Sequence, residues 1–315
     1  MSQDFIKIQG YSGCDIRVVR CPQTESYVLE KSALGSYAPR LTAQMKKQVD
    51  FREVNTLSRV HIPQILYVRT VTEGLGLGKG RVTTIDGSAD TIRAVTYGME
   101  YEHNQDCVQF LNTCRFDALK DFTADLLDIV AQNVSMSTMQ DVPRERITHK
   151  YSDVLRIISK NSLLSPEDIA FVDQHCSPVF MALPDTLSLP VGRCHGDLTL
   201  SNLLIQRPNN KIILIDFLDS FVESPIADIC KLRQDTWFGW SLLLSKGYDP
   251  VRMDITLRHV DAILVRECRK KYPWFIEYGK VFQLMNQLRI LQYAQERTVV
   301  DHLLDSARRV LLGSD

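Results

Sequence analysis

The sequence predicts an α+β fold of two lobes, the first rich in β-strands and the second mostly helical. Three observations carry this expectation. The chain has 315 residues, more than one hydrophobic core usually organises. Short apolar-alternating runs separated by turn residues fill the first hundred positions. Beyond about residue 105 the apolar residues recur at helical spacing instead. The division is placed so that 1–101 forms the first lobe and 102–315 the second.

Residues 4–10, 14–21 and 26–32 read as three successive strands, the first two joined by Gly10-Tyr11-Ser12-Gly13. After Pro39, the positions Leu41, Met45 and Val49 predict one helix over 40–51. Two further strands are expected at 62–71 and 91–101, with a flexible glycine-rich connection between them. A single long amphipathic helix is expected over 107–130, built on Phe110, Leu111, Cys114, Leu119, Phe122, Leu126 and Val130. Another should open at Ser165, a good N-cap followed by Pro166 at the first helical position. Residues 211–217 read as a strand, and 281–295 and 299–312 as terminal helices.

Composition excludes several classes. With 37 basic and 38 acidic residues the net charge is −1, so no overall field draws the chain to nucleic acid or anionic lipid. No apolar run approaches the roughly 20 residues of a membrane span, and the start lacks the layout of a secretory signal, so a cytoplasmic location is expected. The eight cysteines are scattered, without a C-x-x-C pair or ligand-like spacing, as free thiols in a reducing compartment would be. Internal repeats and low-complexity segments are absent.

The densest chemistry lies in Cys194-His195-Gly196-Asp197-Leu198-Thr199-Leu200-Ser201-Asn202. Asp197 follows His195 by two positions, Asn202 follows Asp197 by five, and Asp216 sits further on in the apolar run ILIDF. This reads as an exposed loop held between strands. Phosphoryl transfer uses such a set, because a carboxylate can orient the attacking hydroxyl while hard oxygen donors hold magnesium against the phosphates.

The pattern H-G-D-x-x-x-x-N followed by I-D-F resembles the catalytic and metal-binding segments of the aminoglycoside phosphotransferase and choline kinase superfamily, relatives of the protein kinases. The resemblance implies a protein-kinase-like fold that binds ATP and Mg2+. It makes Asp197 the catalytic base, His195 a loop-orienting residue, and Asn202 and Asp216 the metal ligands. In the run Pro225-Ile226-Ala227-Asp228, the aspartate would brace the loop. In the first lobe, Gly10, Ser12 and Gly13 stand where the phosphate-covering turn belongs, Lys31 matches the phosphate-contacting lysine, and Met99, Glu100 and Tyr101 match the hinge that receives adenine. The pattern departs at one point: the 40–51 helix offers no acidic partner for Lys31 before Asp50, with Glu53 beyond it.

Blander readings stand beside these. His195 and Asp197 alone would be a satisfied polar pair in a loop. Cys194 and His195 are adjacent and point to opposite faces, which disfavours a thiol nucleophile, and no G-x-S-x-G turn surrounds Ser201. Residues 74–80, GLGLGKG, lack the spacing and hydroxyl of a P-loop. Asp219 reads as a turn cap or a further carboxylate near the metal. Trp237, Phe238, Trp240 and Trp274 are core residues or the wall of an acceptor pocket, Trp237 and Trp240 sharing a helix face. Asp235, Asp249 and Asp254 are the carboxylates on hand for a cationic acceptor.

The expected function is transfer of the γ-phosphoryl group of ATP to a hydroxyl of a small-molecule acceptor such as an amino sugar, amino alcohol or sugar. The alternative is a catalytically inactive nucleotide-binding regulator. A protein kinase is disfavoured because Asp228 follows Asp216 by only twelve positions, little room for a peptide-docking loop.

Overall fold

The computed structural model describes residues 5–8, 14–20, 26–72, 75–80, 92–101 and 104–313. The chain divides into two compact units. One joins the residues up to Gln105 with Leu203–Asp219, and the other joins Asp106–Asn202 with Ser220–Asp315. The segment Leu203–Asp219 thus groups with the β-rich part of the chain.

In the first unit, β1 (Phe5–Ile8), β2 (Asp15–Arg20), β3 (Tyr27–Leu34), β5 (Ile65–Thr72), β6 (Leu75–Gly80) and β7 (Ile92–Glu100) form one sheet in the order β1-β2-β3-β7-β5-β6. The pairings are antiparallel. Helix α1 (Tyr37–Val54) packs Ala38, Leu41 and Met45 onto Val68, Val95, Tyr97 and Met99. It starts before Pro39 rather than after it, because a proline in the first helical turn costs no hydrogen bond. The glycine-rich run is not a loose connection: leucine alternates with glycine through it, and Leu75–Gly80 pairs with β5. The second, four-stranded sheet has the order β4-β12-β11-β8, from β4 (Val60–His61), β8 (Gln105–Asp106), β11 (Leu203–Gln206) and β12 (Lys211–Leu214).

The second unit is helical apart from β9 (Thr138–Pro143) and β10 (Thr186–Val191), an antiparallel pair. The long helix expected over 107–130 is two helices, α2 (Cys107–Thr113) and α3 (Phe116–Ser135), because Cys114 and Arg115 are extended. The apolar spacing shows why: Cys114 to Leu119 is a step of five residues, off the helical period. Then come α4 (Arg144–Ile158) and α5 (Pro166–Phe171), the latter opened by a capping box of Ser165 and Asp168. A π-turn over Val172–Cys176 leads into α6 (Ser177–Met181). The rest is α7 (Pro225–Thr236), α8 (Trp240–Leu244), α9 (Pro250–Lys271), α10 (Pro273–Leu291) and α11 (Arg297–Leu312). None of the described helices is long and apolar enough to cross a membrane.

Helix α7 is the axis of this unit. All of its residues except Lys231 are buried, although its sequence is rich in polar groups. A buried polar group must find a partner or pay a desolvation penalty, and here each finds one. Arg233 donates to Asp261 of α9 at 3.2 Å, and the Thr236 hydroxyl donates to the same carboxylate at 2.7 Å. Gln234 accepts from Asn286 of α10 at 2.7 Å. Trp237 and Trp240 do not share a helix face as their spacing suggests. Trp237 ends α7, Gly239 turns the chain in a left-handed conformation (φ 69°), and Trp240 opens α8. Trp274 is buried and stacks on Tyr272.

Replacing Asp261 by alanine removes the carboxylate that compensates a buried arginine, so Asp261→Ala should lower stability by about 3–5 kcal/mol. Urea unfolding of the variant against the parent chain measures this; a loss under about 1 kcal/mol, the scale of an exposed pair, would contradict the buried pairing.

Candidate active site

The loop that joins β10 to β11 is buried along most of its length rather than exposed: Cys194, His195, Gly196, Leu198, Thr199, Leu200 and Asn202 are all inaccessible or nearly so. Its backbone therefore needs partners, and α7 supplies them. The His195 and Gly196 N–H groups both donate to the Asp228 carboxylate, at 2.7 and 2.8 Å. Asn133 of α3 donates to the same carboxylate at 3.0 Å. Glycine suits position 196, where φ is +85°. Two helical turns further along α7, Asp235 accepts from the Leu200 N–H at 2.6 Å and the Ser241 N–H at 2.6 Å. Between them Lys231 reaches Asp197, Nζ to carboxylate oxygen 3.0 Å.

Asp197 is thus fixed from several sides. Its backbone N–H donates to His195 Nδ1 at 3.3 Å, and Asn202 Nδ2 donates to both its carbonyl, at 2.8 Å, and its carboxylate, at 2.9 Å. Burial alone would push the Asp197 carboxyl up, but the Lys231 ammonium, with His195 and Asn202, brings it below the ordinary carboxylate range. The group is ionised at neutral pH, and because Asn202 spends its amide nitrogen on Asp197, its Oδ1 is the atom left to face a cation.

In the first unit Lys31, on β3 and 6% exposed, is in contact with the carboxylate of Asp216. The partner absent from α1 is therefore Asp216, two residues past β12. Burial pulls the Lys31 ammonium down to about 8, and the charge of nearby Cys14 works the other way. Asp216 has φ +63°, a left-handed conformation that residues with a Cβ adopt at a cost and that recurs where the surroundings impose it. Phe217 packs on Phe51 of α1 with centroids 4.8 Å apart, and Lys47 donates to the Leu218 carbonyl at 2.6 Å, so α1 holds this turn. Met99 and Glu100 end β7; the Glu100 N–H donates to the Gln64 carbonyl at 3.0 Å and its carboxylate accepts from the Gln64 N–H at 2.8 Å. Tyr101 follows, edge-on to Tyr27. Gly10, Ser12 and Gly13 lie outside the described residues.

Other sequence candidates separate from these. Asp219 is exposed. Asp249 caps α9, accepting from Val251 and Arg252, and Asp254 pairs with Arg258 on the surface, so neither joins Asp235 in an acidic cluster. Cys194 is buried, its thiol 3.2 Å from Glu223. Among the described residues no group of three His, Cys, Asp or Glu side chains is arranged to hold a metal. Lys231 was not singled out by the sequence; its spacing of three and four residues from Asp228 and Asp235, on one helix face, was the available signal.

A family model for the phosphotransferase enzyme family matches residues 11–249. The chain belongs to this family. No curated protein sequence matches it significantly. Among solved structures, a Haemophilus somnus 129PT protein assigned as a fructosamine-3-kinase is 12% identical, with a TM-score of 0.54, 98% of this chain and 92% of the other being covered. An ethanolamine kinase of Plasmodium vivax is 13% identical, with a TM-score of 0.50 and coverage of 98% and 82%. An aminoglycoside-3'-phosphotransferase of type VIII is 14% identical, with a TM-score of 0.49 and coverage of 98% and 94%. The likeness to the first two of these structures is one of fold: α+β, with a β-rich N-terminal part and a helical C-terminal part.

Burial raises the Asp235 carboxyl to about 6, above the roughly 3.9 of an unfolded aspartate. The folded phosphotransferase therefore binds this proton more tightly than the unfolded chain, so the group's contribution to stability is complete below about pH 4 and is lost as pH rises through about 6. Relative to Asp235→Asn, the parent chain should lose on the order of 1–3 kcal/mol between those limits. Melting curves of both proteins across pH 4–7 test this, and parallel profiles would refute it.

Proposed function

We propose that this phosphotransferase moves the γ-phosphoryl group of ATP to a hydroxyl of a small-molecule acceptor. The observation that carries the reading is the state of Asp197: ionised, backed by Lys231, and fixed by a loop whose N–H groups are anchored on α7. A carboxylate held in this way orients an acceptor hydroxyl and takes its proton as the bond to phosphorus forms. With a lowered pKa it is a weak base, so orientation is the larger part of its contribution and proton uptake comes late.

Lys31 steadies the nucleotide phosphates, and the backbone at Met99, Glu100 and Tyr101 receives the adenine. By the family resemblance, Gly10, Ser12 and Gly13 are assigned to the phosphates as well. Asn202 through Oδ1 and Asp216 through its carboxylate are hard oxygen donors of the type magnesium takes alongside phosphate oxygens, and magnesium bound there would neutralise phosphate charge. Two of the similar structures, one assigned as a fructosamine-3-kinase and one an ethanolamine kinase, support the small-molecule class. The inactive regulator rested on a lysine without an acidic partner, and the Lys31–Asp216 contact weakens that reading. ATP as donor fits a cytoplasmic location.

Magnesium-dependent ATP consumption, screened against hydroxylated small molecules, tests the proposal. Asp197→Asn should reduce acceptor-stimulated turnover about 10²–10⁴-fold while an ATP analogue still binds. Undiminished turnover in that variant would remove Asp197 from the reaction. Lys31→Met should chiefly raise the KM for ATP, and an unchanged KM would remove Lys31 from nucleotide binding.

A further inference from the structure

A small hollow adjoins Asp197 within the helical unit. Gly196, Phe221, Lys231, Phe282, Asn286 and Arg289 are among its walls, and its volume of about 10 Å³ is that of one oxygen-sized group. Its charged walls are Lys231 and Arg289, and none of the described lining residues is a carboxylate. Lys231 connects the hollow to the reaction, since its ammonium is 3.0 Å from Asp197. Arg289 is half-buried, with its guanidinium 5.6 Å from the centre of the Phe221 ring, which stacks on Phe282. The basic character continues beyond the hollow. Arg146 of α4 donates to the Phe221 carbonyl at 2.8 Å. Lys150, one turn along α4, has its ammonium pKa lowered by burial and then by Arg289.

The acid in contact with this lining, Asp197, is already held by Lys231 at 3.0 Å and by Asn202 at 2.9 Å, and two acids nearby in sequence are engaged too. Glu223 accepts from the Ser220 N–H at 2.5 Å and from Cys194, and Asp153 pairs with Arg156 at 3.1 Å. A cationic acceptor placed here would meet like charge in a partly desolvated setting. A carboxylate or phosphate would meet a guanidinium, whose planar fork matches such groups.

We propose that the acceptor is a small hydroxylated anion, an alcohol or sugar bearing a carboxylate or phosphate, whose negative group is received by Arg289 and Lys231 while its hydroxyl faces Asp197. This rests on the phosphotransferase reading given above. In the step, the acceptor oxygen forms a bond to the γ-phosphorus as the bond from that phosphorus to the β,γ-bridging oxygen breaks. ADP leaves with that oxygen, and the hydroxyl proton passes to Asp197 and then to water.

The test uses acceptor sets matched in skeleton and different in charge: glycerol, glycerate, glycerol 3-phosphate and 3-amino-1,2-propanediol, then glucose, glucuronate and glucosamine. Transfer from magnesium–ATP should favour the acids, and the glycerate and glycerol phosphate arms tell carboxylate from phosphate. Arg289→Gln should lower the ratio of acid to neutral kcat/KM at least tenfold, and Arg289→Lys should restore part of it; melting curves check that both variants fold. Preference for neutral or amino members, or an Arg289→Gln effect equal on all acceptors, overturns the anionic class and leaves the phosphotransferase reading standing. A protein that binds magnesium–ATP but neither binds the acids by calorimetry nor phosphorylates them overturns it as well. Failure to bind magnesium–ATP at all overturns both.

Discussion

One face of one buried helix organises the chemistry of this protein. Asp228, Lys231 and Asp235 recur along α7 at intervals of three and four residues, so they project from a single side. The 194–202 loop lies against that side, with the two carboxylates holding N–H groups at its two ends. Without them a buried stretch of irregular backbone would carry unsatisfied donors, each costing about 1–3 kcal/mol. The loop is therefore shaped by α7 more than by its own sequence, and α7 stays in place because Arg233, Gln234 and Thr236 are satisfied from α9 and α10.

Charge is handled in pairs throughout. Lys231 with Asp197 and Lys31 with Asp216 each set a cation against a carboxylate. In both pairs the carboxylate carries the proposed chemistry, and at Asp197 the lysine keeps it ionised although it is partly out of water. Such pairs contribute little net stability; their use is to fix orientation and protonation state before a substrate arrives. The strained backbone of Asp216 belongs to the same pattern, since a left-handed aspartate is retained only where its neighbours, here Phe217 on Phe51 and Lys47 on Leu218, require it.

Much of this was legible in the sequence. The alternation of strands with turns, the cap at Ser165 and the H-G-D-x-x-x-x-N spacing are local patterns with local causes, and the fold they imply is present. The break between α2 and α3 was also written in the spacing, at the step from Cys114 to Leu119, though the apolar residues on either side masked it. What sequence could not convey was long-range pairing. Asp216 is 185 positions from Lys31, and nothing local says that a lysine lacking an acidic helix partner finds one beyond a distant strand. Asp235 read as a carboxylate available to a cationic acceptor because a buried one, anchoring backbone, looks identical in one dimension. The basic surroundings of Phe221 come from α4, α7 and α10 and have no sequence signature at all.

The central claim is that α7 clamps the loop, and amide hydrogen exchange at His195, Gly196 and Leu200 measures it most directly. The account predicts that these three amides exchange only through global unfolding, as slowly as the core of α7, and that Asp228→Ala releases His195 and Gly196 while Leu200 stays protected. Exchange at all three on the timescale of exposed loops in the parent chain would contradict it.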